Sequence, residues 1–246
     1  MKKTLFLMAA AVCCAVTPAF AEGENLVTDF SSEAFTALGT VTNANGELGE
    51  TGWSTKKFGA KNSILTFAEG GLTVNQNSGS YADWAQTVLY TELTSSVTST
   101  HNGSYTITFD LTGGNGQRGF VLASDSYSLA FGIKYDGNVA ISSMDGNYFS
   151  AYKSLTDMTA LTGTGSGSAD FSSCTITLNG TALTVTAGGF TGTYTVADTY
   201  NFTTAGFTMD GSQNVTTKGV TIVPEPATAT LSLLALAGLA ARRRRH

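Results

Sequence analysis

Few side chains in this sequence could act as nucleophiles, bases or soft metal ligands. The chain has two histidines, His101 and the terminal His246, and His101 stands in the turn-like run His-Asn-Gly-Ser. His101, the histidine within the predicted domain, cannot build a histidine-rich metal centre by itself. A Ser-His-Asp arrangement would need partners that the sequence does not reveal. No G-x-S-x-G, H-E-x-x-H, P-loop or EF-hand motif occurs. We therefore predict no catalytic residue and interpret His101 as a surface turn residue.

Carboxylates are plentiful, with 18 Asp and Glu residues in the chain. A suitably spaced pair could hydrolyse a glycosidic bond, but the E-x-D-x-x-E strand motif of β-jelly-roll glucanases is absent, so a glycan hydrolase stays an alternative.

The Asp-Gly-Asn triplets at 136–138 and 145–147 could offer oxygen ligands to a structural Ca²⁺, through Asp136 and Asp145. The same triplets are ordinary turn chemistry, and we favour the turns.

Aromatic side chains in polar surroundings give the best indication of a ligand. Flat rings beside Asn, Asp and Gln suit sugars, because the ring stacks on the apolar sugar face while the polar groups bond the hydroxyls. The alternative is that the rings fill the core or cover the end of a sheet. The candidate carbohydrate-binding residues are Tyr81, Trp84, Tyr148, Phe149 and Tyr152.

The elements that must position these residues are β-strands. Period-2 runs recur with Gly, Asn, Asp and Ser between them, and no stretch has convincing helical periodicity. The pattern predicts one all-β domain over residues 22–222, a single antiparallel β-sandwich of jelly-roll type. Residues 146–169 are predicted to form a long polar loop. The pattern of residues 31–62 does not assign them to strands or to a loop. The predicted strands are 63–69, 86–90, 104–112, 119–124, 128–135, 138–143, 174–178, 182–187, 191–196 and 219–223.

Two hairpins can be registered from their turns. Asn179-Gly180, as a two-residue type I′ loop, pairs Ile176 with Leu183 and gathers the apolar residues on one face. A three-residue loop at 136–138 instead pairs Ile133 with Ile141, which restores one apolar face there.

Cys174 falls on the apolar face of the first hairpin. The other two cysteines, Cys13 and Cys14, lie near the N-terminus, so Cys174 has no disulfide partner in the domain. We expect a buried, unreactive thiol.

Threonines also recur two residues apart along several predicted strands. Regular threonine arrays can bind ice, but solvent-facing threonine is also what an exported β-sheet uses for its β propensity. We interpret these as ordinary exposed positions. They are Thr106/Thr108, Thr175/Thr177, Thr184/Thr186 and Thr191/Thr193/Thr195.

Residues 1–21 have the three parts of a secretory signal peptide. Lys2 and Lys3 precede an apolar run at 5–16, and Ala19-Phe20-Ala21 supplies the small residues that signal peptidase requires before Glu22. The run, which would form a signal helix, is too short to span a bilayer core of about 30 Å. Lipidation at Cys13 or Cys14 is a weaker alternative, because Val12 is not the small residue expected there. The sequence predicts export.

The C-terminus has a different three-part pattern, in which Val223-Pro224-Glu225-Pro226 is followed by an apolar stretch and then by arginines. The apolar residues 227–241 would form a helix of about 22 Å, shorter than the roughly 30 Å of hydrocarbon. The arginines would stay on the cytoplasmic side, which makes the segment a marginal transmembrane helix or transient anchor. They are Arg242, Arg243, Arg244 and Arg245.

This tail resembles the PEP-CTERM sorting signal of diderm bacteria. The resemblance covers residues 223–246 and implies cleavage near Pro224-Glu225-Pro226 by an exosortase-type enzyme, followed by release or attachment at the cell surface. A plain membrane anchor that is never cut is the alternative. The tail carries no information on the domain before it, because the same signal follows many unrelated domains.

Charge limits the partners of the domain that remains. Without the two end segments, seven basic residues face seventeen acidic ones, a net charge near −10. This argues against nucleic acid and against anionic membrane surfaces.

A second resemblance covers about a third of the domain. The runs ENLVTDF, WAQTVLY and GSYTITFDLTG are similar to jelly-roll carbohydrate-binding modules and LamG-like sandwiches. We expect a non-catalytic protein of the cell surface that binds, or is embedded in, extracellular polysaccharide. A structural envelope or matrix protein without a specific ligand is the other alternative.

Overall fold

The computed structural model describes residues 25–76, 85–93, 104–114, 116–134, 139–160, 172–188, 190–198, 200–211 and 214–224. Within these ranges the chain is almost entirely β-strand. The helices are an α-helix, α1 (Glu33–Thr36), and one 3₁₀ turn, Leu155–Asp157. Neither of these single-turn elements approaches the length and apolarity of a membrane span. The predicted signal peptide and all of the tail beyond Pro224 lie outside the described residues.

The strands are β1 (Leu26–Asp29), β2 (Thr40–Thr42), β3 (Gly46–Glu47), β4 (Trp53–Gly59), β5 (Ser63–Ala68), β6 (Gly71–Gln76), β7 (Ala85–Glu92), β8 (Tyr105–Phe109), β9 (Gln117–Ala123), β10 (Tyr127–Ile133), β11 (Val139–Asp145), β12 (Thr159–Ala160), β13 (Cys174–Asn179), β14 (Ala182–Ala187), β15 (Phe190–Thr195), β16 (Thr204–Asp210), β17 (Val215–Thr217) and β18 (Gly219–Pro224). Every strand pairing is antiparallel.

These strands form three sheets. A six-stranded sheet has the order β1-β18-β8-β13-β14-β15, and an eight-stranded sheet has the order β12-β11-β10-β9-β16-β7-β4-β3. A smaller sheet, β17-β6-β5-β2, adds its buried residues to the same core. The all-β, antiparallel, sandwich-like architecture predicted from the sequence is confirmed.

Aromatic rings between the two large sheets hold the sandwich together. Phe109 of the six-stranded sheet stacks on Phe120 of the eight-stranded sheet at 5.1 Å and meets Phe207 edge-on at 5.8 Å. Phe30 packs against Trp53 at 5.2 Å, beside the smaller sheet. Such ring pairs stabilise a core beyond their area burial.

All ten predicted strands are present, with ends that differ by at most three residues. The sequence patterns missed β4 and β16, among others. In β4 the pair Lys56-Lys57 and the terminal Gly59 hide the period-2 pattern, and in β16 the small residues Ala205 and Gly206 weaken the strand pattern.

The register of the Asn179-Gly180 hairpin differs from the prediction by two residues. Asn179 is the last residue of β13, and the loop is Gly180-Thr181, with Gly180 at a φ of 59°. Leu178 therefore pairs with Leu183, and Ile176 with Val185. A shift of two residues preserves the faces, and Leu178 now lies opposite the apolar Leu183 instead of Thr181, its partner in the register that pairs Ile176 with Leu183.

The hairpin between β10 and β11 shows the same kind of error. Ile133 pairs with Val139 and Phe131 with Ile141, so the predicted pairing of Ile133 with Ile141 is wrong. The connection is longer than three residues, and 135–138 lie outside the described residues. The apolar face is again kept, because the shift is two.

Cys174 is buried on the inner face of the six-stranded sheet, 1% exposed, as predicted. It carries no disulfide. Burial raises the pKa of its thiol to about 12.

The outer face of the six-stranded sheet is a regular array of threonines, here called the threonine face. Strand registers align Thr221, Thr108, Thr175, Thr186 and Thr191 in one row. A second row joins Thr106, Thr177, Thr184 and Thr193. All nine side chains are exposed or half-exposed, as predicted for the eight other than Thr221, and the remaining predicted position, Thr195, is exposed as well.

The last strand extends into the predicted tail. β18 lies between β1 and β8, and Val223 pairs with Thr106 and Pro224 with Tyr105. The sheet thus includes two residues that the sequence analysis assigned to the sorting signal.

Candidate functional site

Residues 147–158, here called the strap, cross the outer face of the eight-stranded sheet. The strap buries Tyr148, Phe149, Leu155 and Met158 in a second apolar cluster, separate from the core between the sheets. The sheet contributes Val88, Val121, Ala123 and Ala130 to this cluster. Both faces of the large sheet are therefore covered at its centre.

The sheet accommodates the strap through residues without bulky side chains. Gly132 lies beneath Leu155, and a Cβ at this position would stand 2.7 Å from Leu155 Cδ1 and 2.4 Å from the Arg118 carbonyl oxygen. Glycine is therefore the residue that allows this close approach.

Hydrogen bonds hold the middle of the strap to the sheet. Tyr148 donates its hydroxyl proton to the Lys153 carbonyl at 2.7 Å, and the same oxygen lies 3.1 Å from Thr208 Oγ1. The Gln86 side-chain amide donates to Tyr148 Oη and to the Lys153 carbonyl. Burial raises the pKa of Tyr148 well above its ordinary value, so the hydroxyl stays protonated and remains a donor.

The far end of the strap is fixed in the same way. Ser154 caps the 3₁₀ turn with a capping box that Asp157 completes. Gln117 Oε1 accepts from Ser154 Oγ at 2.7 Å and from the Leu155 N–H at 3.0 Å. The strap is a structural layer of the fold.

This arrangement corrects the predicted role of two aromatic residues. Tyr148 is 0% exposed and Phe149 is 4% exposed, so neither ring is presented to solvent as a free stacking platform. Tyr152 is 37% exposed and donates to Asp210 Oδ2 at 3.2 Å. Burial and the neighbouring Asp210 raise the pKa of Tyr152 to about 12. Tyr81 and Trp84 lie outside the described residues.

A groove of about 620 Å³ opens at the edge of the strap and is here called the strap groove. Its floor contains the ring of Tyr90, which is half-buried and stacks on Phe149 with ring centroids 5.1 Å apart. Both rings line the groove, and Tyr90 is the more exposed of the two, because Phe149 is only 4% exposed. The volume lies within the range of small-ligand sites.

The rim of the strap groove is polar. Lys56 donates to the Ser150 carbonyl at 2.7 Å and its ammonium lies 4.9 Å from the Phe58 ring centroid. Asn147 Oδ1 accepts from the Phe149 N–H at 2.9 Å, which leaves the Asn147 amide group to donate to a ligand. Thr203 and Thr204 add hydroxyls on the opposite side.

Two carboxylates also line the strap groove, those of Glu92 and Asp125. Glu92 ends β7, and Asp125 lies in the turn between β9 and β10. Both side chains are exposed. A general acid is usually desolvated by its surroundings, which is not the situation of either group.

The predicted calcium ligands do not form a cluster in the described ranges. Asp145 is the last residue of β11 and pairs with Tyr127, while Asp136 falls outside the described residues. No group of three His, Cys, Asp or Glu side chains comes together within those ranges. Within the 145–147 triplet the chain bends at Gly146, which has a φ of 83° and donates its N–H to the Ser126 carbonyl at 2.8 Å.

Tyr90, the ring that lines the groove, was not among the predicted binding residues, although it lies in the same aromatic run, SYADWAQTVLY, as the candidates Tyr81 and Trp84. Tyr90 reads as one more aromatic position of a strand, and its exposure follows only from its place beside the strap. Lys56, Glu92, Asp125 and Asn147 likewise come from four separate segments, and no spacing in the sequence relates them.

Comparisons with known proteins show similarity in fold at a low level. No protein-family model and no curated protein matches the sequence. The fold is similar to the metal-free carbohydrate recognition domain of Emp46p, with a TM-score of 0.43 and 9% identity, covering 74% of this chain and 95% of that chain. It is also similar to botulinum neurotoxin type C, whose cell entry depends on two ganglioside molecules, with a TM-score of 0.40 and 12% identity over 79% of this chain. This chain spans 50% of the neurotoxin chain.

Proposed function

We propose that this protein is an exported, non-catalytic polysaccharide-binding protein, and that the strap groove is its binding site. The observation that carries the proposal is the half-exposed Tyr90 ring, held flat against Phe149 at the floor of a groove with a polar rim. A sugar ring stacks on such a surface through its C–H face.

The rim supports this assignment, because it combines donors and acceptors at fixed positions. Asn147 and Ser150 belong to the strap, which its hydrogen bonds hold rigid. Asn amides, hydroxyls and carboxylates match the hydroxyl groups of a sugar in both hydrogen-bonding senses. A preorganised rim loses little conformational entropy on binding.

We assign the sandwich to the jelly-roll type, which the antiparallel pairing of every strand supports. We further propose that residues 1–21 are removed by signal peptidase and that an exosortase-type enzyme processes the tail near Glu225, which would display the domain at the cell surface. β18 ends at Pro224, so in this proposal the processing site directly follows the last strand of the sandwich.

The binding proposal is tested with the full chain, kept in mild detergent, against a panel of immobilised polysaccharides. We expect Tyr90→Ala to weaken binding about tenfold, or about 1.4 kcal/mol, as for a central aromatic contact. Tyr152→Ala is the matched control, because it removes an exposed tyrosine outside the groove. Equal binding by a folded Tyr90→Ala variant and the control would refute the site.

Because Glu92 and Asp125 both line the strap groove, a glycan hydrolase is the second candidate, although both carboxylates are more exposed than a general acid usually is. Two acids in one sugar-binding groove could act as acid and base. The same panel tests it, because released oligosaccharides that disappear with Glu92→Gln or Asp125→Asn would identify an enzyme.

A further inference from the structure

A second groove, of about 880 Å³, runs between β1 and the turn at residues 47–52 and is here called the edge groove. Trp53 forms part of its wall and is held in place by a hydrogen bond of 3.1 Å from its indole Nε1 to Thr28 Oγ1. Phe30 packs against the other side of the Trp53 ring at 5.2 Å. This wall therefore belongs to the rigid core.

The two grooves meet at β7. Tyr90 and Glu92 line both of them. These residues are two apart on one strand, so their side chains project from the same face of the sheet. A ligand stacked on Tyr90 in the strap groove can continue past Glu92 into the edge groove.

The combined path is acidic. The edge groove is lined by Asp29, Glu47, Glu50 and Glu92, with no Lys, Arg or His among its described lining residues, and the strap groove adds Asp125. Lys56 is the basic residue of the path, and its ammonium already binds the Ser150 carbonyl.

One of these carboxylates is held in its charged form by its neighbours. Asp29 Oδ1 accepts from the Ser31 hydroxyl at 2.6 Å and from the Ser31 N–H at 2.8 Å, and these bonds lower the pKa of Asp29. The path therefore attracts cationic ligands and repels sulfated or uronic-acid chains.

We infer that the strap groove and the edge groove form one continuous path for an extended polysaccharide that carries free amino groups. This inference rests on the proposed function and names its ligand class. Stacking on Tyr90 holds one sugar, while the carboxylates along the path pair with ammonium groups on the sugars that follow.

The experiment compares four probes on the full chain in mild detergent by titration calorimetry. They are a glucosamine disaccharide, a glucosamine hexasaccharide, the fully N-acetylated hexasaccharide and polylysine. We expect the glucosamine hexasaccharide to bind about tenfold more tightly than the disaccharide or the N-acetylated hexasaccharide, with the advantage over the N-acetylated chain reduced by salt.

Variants then locate the second half of the path. Glu47→Gln combined with Glu50→Gln should weaken glucosamine hexasaccharide binding about fivefold and leave disaccharide binding unchanged. Glu69→Gln is the matched control, because it removes an exposed carboxylate outside both grooves. It should change neither affinity.

The outcomes separate this inference from the proposed function. Equal binding of the amino and N-acetylated hexasaccharides, with both lost in Tyr90→Ala, overturns the inference and keeps the glycan site. Equal binding of the glucosamine disaccharide and hexasaccharide overturns the continuous path. Polylysine binding as tight as that of the glucosamine hexasaccharide identifies a surface for basic peptides and overturns the inference. Absence of binding to every glycan refutes both proposals.

Discussion

The outer faces of the two large sheets differ, because one is open to solvent and the other is covered by a further layer of the chain. The threonine face of the six-stranded sheet is open, with β14 alternating strictly between exposed and buried residues. The outer face of the eight-stranded sheet is covered by the strap, and every residue of β10 is buried.

The difference lies in the residues that point outward. On β13 and β14 they are mainly threonines, which tolerate water and favour strands. On β10 they are Ser128, Ala130 and Gly132, whose small side chains leave room for another layer. Small outward residues inside an apolar run thus indicate a covered face, and polar β-branched ones indicate an open face.

The largest effect should come from removing an apolar side chain of the strap. Leu155 is 1% exposed, and we expect Leu155→Ala to lower the free energy of unfolding by about 3 kcal/mol through lost burial and a cavity. Urea unfolding measures this change. Val27→Ala is the control, because Val27 is 66% exposed and its truncation should cost little. If packing of the strap on the sheet contributed little to stability, the two variants would have similar free energies of unfolding.

An intermediate effect should distinguish the two faces of the six-stranded sheet. Burial raises the pKa of Cys174 to about 12 on the inner face. The unfolded chain loses the thiol proton near pH 9 while the folded chain keeps it, so this stability is complete below about pH 9 and is lost as the pH rises toward 12. We expect Cys174 to contribute about 1.4 kcal/mol to the fall in the free energy of unfolding between about pH 8 and about pH 10, and the tyrosines with raised pKa values, such as Tyr148, to add to that fall.

Cys174→Ala tests the origin of that fall. The variant is less stable at both pH values, but the difference in its free energy of unfolding between them should be smaller by about 1.4 kcal/mol. A pH difference of the same size in Cys174→Ala would assign the effect to other groups and contradict the burial argument.

The smallest effect should be on the threonine face. Thr184 is exposed in the middle of a row, and Thr184→Ala should change the free energy of unfolding by no more than about 0.5 kcal/mol. Urea unfolding under the conditions used for Leu155→Ala makes the two faces directly comparable. A loss well above about 1 kcal/mol at Thr184, which is more than the difference in β propensity between threonine and alanine explains, would contradict an open face.

The sequence alone predicted the strands that carry strong alternation, and with them the faces. Cys174, Ile176 and Leu178 are buried as predicted, and Thr175 and Thr177 point outward. The registers failed by two residues in both hairpins, because such a shift keeps every side chain on its face and the pattern cannot detect it. The exact loop is decided by which apolar pairs meet across the strands.

The candidate site was predicted only in part. Phe149 lies in the groove, but as the support for Tyr90, and Tyr148 is a buried anchor of the strap. A polar segment rich in aromatics looks the same in sequence whether its rings face water or the sheet. The burial of Tyr148 depends on Gln86 and Thr208, which lie 62 and 60 residues away along the chain.

Local patterning thus determined the all-β class, the two faces of each strongly alternating strand and the burial of Cys174. These follow from the period of two in a strand, which is a property of neighbouring residues. The tertiary structure decided the strap, the two grooves and their meeting at Tyr90. Each of these depends on contacts between segments far apart in sequence, and their position is set by packing, which no local pattern records.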